Sequence, residues 1–177
     1  MAPQATVLAI TVAWFFLPRN PICKMIPNDF MDLAARLSNG DNEAEFRTSV
    51  SRAYYGTFHA AVQILVEAGI SLPLGPESHH KVRLCLLECG DAAGFQAGSQ
   101  LQTLRKQRNI ADYELRNSTN RDGRNAKSQV QTARVILRLL DACQQEPALT
   151  HFRAKVRDYA ANVLRLPVSK PEVPFKH

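Results

Sequence analysis

Ser51-Arg52-Ala53-Tyr54-Tyr55-Gly56-Thr57-Phe58-His59-Ala60-Ala61 is the stretch whose reading decides the fold. At about 100° per residue, Phe46, Val50, Ala53, Thr57, Ala61, Ile64 and Ala68 fall on one line, which predicts a long helix with a continuous buried stripe. A second line on the far side, Arg52, Tyr55, His59, Val62 and Val66, mixes ionisable and aromatic groups with aliphatics. A solvated back would carry Lys and Glu, so the expectation is that both sides are covered, the second by another helix or by a second copy of the chain.

Working outward, the punctuation is that of helices. Asn28 or Asp29 is expected to cap a first helix through Leu37, with Asn39-Gly40 as its stop. Asp41 is expected to cap the central helix, which Gly69 ends, with Glu43 and Glu45 in the first turn where the helix dipole favours them. Leu72-Pro73-Leu74-Gly75-Pro76 reads as a rigid loop, and Pro76 opens a third helix that closes at Gly90. Residues 91–98 are small and read as a loop, followed by a helix from about Ser99 to Leu115 and a polar turn from Asn117 to Asn125. A helix from Ala126 to Gln145 shows Val130, Ala133, Ile136, Leu137, Leu140 and Cys143 at core spacing, and Pro147 terminates it. Leu149 to Leu164 forms a last short helix, and the proline-rich tail from Pro167 is expected to be unstructured.

No alternating Val/Ile/Thr runs bounded by turn signals occur, so the fold class is all-α, with about five helices in one bundle. The 177 residues suit one domain. The organisation expected is an N-terminal extension over 1–24, the helical domain over 25–146, a C-terminal helix over 147–166 and a disordered tail over 167–177. Val7 to Leu17 is apolar but too short to span a bilayer, and it lacks the basic start and small-residue cleavage site of a secretory signal. The preferred reading takes Met25 as the biological start, with a membrane or packing segment as the alternative, and expects no stable membrane insertion.

The formal net charge of +6 allows a polyanionic partner without requiring one. Cys23, Cys85, Cys89 and Cys143 make neither a CxxC pair nor a disulfide framework. Although His79 and His80 lie just upstream of Cys85 and Cys89, the spacing is not that of a zinc site, so buried free thiols, no metal and a reducing cytoplasm are expected.

Ser51-Arg52-Ala53-Tyr54-Tyr55 with Phe58-His59-Ala60-Ala61, and further along Arg108-Asn109-Ile110-Ala111-Asp112-Tyr113, resemble the HEPN domain family, in the branch with SRAYYxxFHAA and RxxADY signatures. The resemblance spans about Phe30 to Cys143. It implies a two-fold homodimer without a cofactor, and a toxin-like protein of a toxin-antitoxin or defence system that binds RNA. It also implies a nucleotidyltransferase-type antitoxin as partner, and cleavage without metal by an Arg that holds the scissile phosphate and a His that moves a proton. Arg108 and Asn109 match the Arg and polar residue of that motif, whereas Tyr113, Glu114 and Leu115 stand where the His would fall. Asp112 lies near that place, but a carboxylate ionised at neutral pH is a poor general acid. The alternatives to an RNA-directed enzyme are a helical interaction module that docks the nucleotidyltransferase-like partner and a nucleotide binder.

Arg108 is singular for a second reason: it falls inside the apolar stripe of Leu101, Leu104, Ala111 and Leu115. An unpaired buried charge costs several kcal/mol, so the guanidinium needs Asp112, at i+4, or a phosphate. His59 can stand in for the missing imidazole or hydrogen-bond in a helix seam, and Arg52 can close an inter-helix pair with Glu45. Tyr54, Tyr55 and Tyr113 can stack on bases or pack at an interface. Arg116, Arg121, Arg124, Lys127 and Arg134 make the loop after the motif helix basic, which suits a phosphate track near Arg108 or a solvated loop.

Overall fold

The computed structural model describes residues 25–169. They form six α-helices, α1 Pro27–Leu37, α2 Glu43–Glu67, α3 Pro76–Leu87, α4 Ala92–Tyr113, α5 Arg124–Cys143 and α6 Ala148–Asn162, with a short 3-10 turn over Ser118–Asn120. The all-α expectation holds, and the described residues form no strand beyond an isolated antiparallel bridge between Ile70 and Val168. The reading of residues 1–24 and Cys23 falls outside the described part.

α2 is the spine, packed on α1, α4 and α5, while α3 lies on α4. All seven residues of the expected stripe, from Phe46 to Ala68, are buried. Tyr54 and Phe58 widen that stripe into the main core with Leu65, Leu86, Leu104, Ile136, Leu140 and Phe152. Each large apolar side chain so buried contributes about 1.5–3 kcal/mol. Gly56 permits α1 to approach, because a Cβ there would stand 3.0 Å from Met31 and 3.2 Å from the Pro27 carbonyl.

Several boundaries differ from the sequence reading. Asn42, not Asp41, caps α2 by accepting from the Glu45 N–H at 3.1 Å, and the Glu45 carboxylate accepts from the Asp41 N–H at 3.0 Å. The first bond satisfies an N–H that a free helix end leaves open, and the second ties the residue before the cap to the first turn. In α1 the cap position is Ile26, and Asp29 acts from the first turn by accepting the Ile26 N–H at 2.8 Å. Residues 91–98 are not a loop: Asp91 caps α4 by accepting from the N–H groups of Ala93 and Gly94. Their smallness serves packing. A Cβ on Gly94 would meet Cys89 Sγ at 2.3 Å, and one on Gly98 would meet Leu86 Cβ at 3.0 Å. α4 then ends two residues earlier than expected, leaving Leu115 outside the helix and exposed.

The tail also departs from expectation at its start. The Ser71 N–H donates to the Pro167 carbonyl and the Ser169 N–H to the Gly69 carbonyl, both at 2.9 Å. Arg157 of α6 donates to the Ala68 and Ser169 carbonyls, which ties the C-terminal end of α2 to this segment.

Candidate functional site

From Tyr55 to Val66 the far line of α2 borders an open cleft of about 840 Å³. Phe30 of α1 stacks on His59 at 5.3 Å and Arg108 of α4 bonds Tyr55, so helices cover the line in part, while His59 and Val66 remain exposed. Tyr54, Tyr55 and Phe58 supply the aromatic wall and the loop Leu72–Pro76 an apolar rim. His79, in the first turn of α3, and Arg105, Arg108, Asn109 and Tyr113 of α4 complete it. Every 3.6 residues α4 returns to the same direction, which brings Arg105, Arg108 and Asn109 to one side.

Arg108 is held on three sides. Its Nε lies 2.7 Å from Asp112 Oδ2, off line for a hydrogen bond and therefore an ion pair. Its Nη2 donates to the Tyr55 hydroxyl at 2.8 Å and its Nη1 to Asn109 Oδ1 at 3.2 Å. The guanidinium also lies 5.2 Å from the ring centroids of both Tyr55 and Tyr113. Burial by itself would lower its pKa, but Tyr55, Asp112 and Tyr113 outweigh it, so the pKa is raised and the charge secure. Asp112 accepts in turn from Ser51 Oγ at 3.2 Å, which anchors the α4 pair on the spine motif.

His79 sits where the core meets the cleft. Its Nδ1 is 2.7 Å from the hydroxyl of buried Tyr54, and its ring lies 4.1 Å from that of Phe58. Burial first, then the charges of Arg105 and Arg108, lower its pKa, and burial also lowers that of His59. Both imidazoles are therefore biased toward the neutral form at pH 7. Burial pushes the Tyr54 phenol up to about 12, so it remains protonated.

Of the expected site residues, the cleft gathers Arg108, Asn109, Tyr55, His59 and Tyr113, while Asp112 stands behind Arg108 as its anchor. Tyr54 is core, its ring packed against Phe58 and His79, so it offers no face to stack on a base. Arg52 does not pair with Glu45. It donates to Ser51 Oγ at 3.3 Å and lies over the rings of Phe30 and Tyr55, because Glu45 is consumed in the cap of α2. The expected phosphate track is not assembled at the cleft: Arg116, Arg121 and Arg124 are exposed, none lines it, and Arg124 pairs with Asp122. The basic residue that does line it is Arg105, which the sequence reading passed over. Its signal was available, three residues before Arg108 and so one turn away on the same face.

A second arginine escaped the sequence reading. Arg47 is 8 % exposed, and its guanidinium binds Glu43 and the carbonyls of Ala111, Leu115 and Asn117 at 2.9–3.2 Å. It closes the C-terminal end of the motif helix, where carbonyls have no partner within the helix.

The expected burial of the thiols holds for the three described cysteines. Cys85, Cys89 and Cys143 are free and buried, and no cluster of His, Cys, Asp or Glu among the described residues could hold a metal ion. Burial raises the Cys85 and Cys143 thiols to about 12. At pH 8 the thiolate fraction is then on the order of 10⁻⁴, so in the native protein iodoacetamide is expected to leave both unlabelled. Mass spectrometry after denaturation should find them reactive, and rapid native labelling would contradict the burial.

No helix among the described residues is long and apolar enough to cross a membrane. No family model, curated protein or solved structure matches the chain.

Proposed function

We propose that this chain is a HEPN-like, RNA-directed protein that grips an RNA phosphate at Arg108, as a homodimer in a toxin-antitoxin or defence setting. The observation that carries the reading is the placing of Arg108: a secured cation at the wall of an aromatic-lined cleft, its Asp112 partner on the side away from the cleft lining. Asn109 adds a polar edge, while Tyr55 and Tyr113 offer ring faces of the kind that stack on unpaired bases. The family's usual His is missing, so binding rather than fast cleavage is the core of the proposal.

The test is titration of a labelled single-stranded RNA with the full chain at several salt concentrations. One phosphate gripped in the cleft predicts a log–log salt slope of about −0.7, or about 2.6-fold weaker binding between 50 and 200 mM. Absence of binding at low salt, or binding indifferent to salt, overturns the reading.

One observation favours the interaction module instead. Leu74 is 98 % and Val66 48 % exposed, both on the cleft rim, as a protein-docking edge would have them. A chain inert toward RNA that binds a nucleotidyltransferase-like neighbour tightly would decide for that alternative.

A further inference from the structure

Beside Arg108, the cleft lining carries Arg105 from α4 and His79 from α3. Arg105 is half-buried, lines the cleft one turn before Arg108, and makes no hydrogen bond or ion pair among the described residues. His79 uses Nδ1 toward Tyr54 and leaves Nε2, on the opposite side of the ring, without a partner. The Tyr54 hydroxyl, 2 % exposed with the rest of its side chain, has His79 as its one hydrogen-bond partner. A buried phenol donates far better than it accepts, and a hydroxyl hydrogen pointed elsewhere would go unsatisfied in the core. Donation to Nδ1 fixes the neutral ring as the Nε2–H tautomer.

We infer that Arg105, Arg108 and His79 form a three-point donor site for one phosphate group, with Tyr54 as the positioning residue that turns His79 into a neutral Nε2–H donor. This rests on the RNA reading above and extends it: the anion is held by two guanidiniums from successive turns of α4 and by one imidazole from α3, across the cleft. A neutral donor suits this place because a third cation beside Arg105 and Arg108 would be repelled by both. Pro76 at the start of α3 sets the turn on which His79 stands.

The experiment uses the full chain and a fluorescein-labelled single-stranded RNA decamer. Arg105→Ala and His79→Leu are each expected to weaken binding about tenfold, hydrogen bonds to a charged acceptor being the stronger class. His79→Gln, which keeps an N–H near the same reach, should stay within about threefold of wild type, with melting temperatures confirming that all variants fold. Long-range ¹H–¹⁵N spectra at pH 7 should show His79 protonated at Nε2 and bare at Nδ1, and Tyr54→Phe should release that preference. The opposite tautomer overturns the inference, as does wild-type affinity in both Arg105→Ala and His79→Leu while Arg108→Ala is impaired. In that last outcome the RNA reading survives, whereas failure of the wild-type chain to bind the decamer removes both.

Discussion

Arg47→Ala is expected to lower the unfolding free energy by about 3–5 kcal/mol, the range seen when one partner of a buried charged network is removed. The side chain is about one-tenth exposed and serves Glu43 and the last carbonyls of α4 together, so alanine strands several acceptors at once. Water can reach some of them, which keeps the loss inside that range. For a chain of this size the melting temperature should fall by about 10 °C. Arg47→Lys should recover less than half, since one ammonium cannot reproduce a planar fork that reaches Ala111 on one side and Asn117 on the other. Urea titration of the three proteins checks this. An Arg47→Ala loss below about 1 kcal/mol would mean that apolar packing alone holds the end of α4.

The second large effect concerns the proposed site. Arg108→Ala should weaken RNA binding by about 30-fold or more, because truncating one member of a largely buried, hydrogen-bonded charge pair costs about 2–5 kcal/mol of binding. The salt slope should become shallower by about one phosphate's share. Arg108→Lys keeps the charge but cannot serve Asp112 and Tyr55 while facing a phosphate, so a loss of about tenfold is expected. Arg116→Ala is the contrasting control: exposed and away from the cleft, it should change affinity by less than threefold. If Arg116→Ala costs as much as Arg108→Ala, the phosphate path runs over the loop after α4 and the cleft is not its centre.

Local periodicity carried much of this into view. The stripe from Phe46 to Ala68 and the core face of α5 could be read directly, because a 3.6-residue repeat places side chains without knowledge of the rest of the chain. The singularity of Arg108 was legible for the same reason, as a charge among apolar neighbours. Residues 91–98 misled because small residues have two uses, and only the distance from Gly94 to Cys89 Sγ shows that here they let helices meet. The basic loop misled in the opposite sense: charge density along a chain does not say which way the side chains turn.

What the sequence by itself determined is the helical class, the spine and the pair Arg108–Asp112, all products of contacts within one or two turns. Only the tertiary structure decided that the far side of the spine borders an open cleft, that His79 of α3 meets Tyr54 of α2, and that Arg47 closes a helix sixty-odd residues away. Those contacts join residues whose separation along the chain carries no period, and they exist because packing the apolar stripes together leaves each polar group with a small choice of partners.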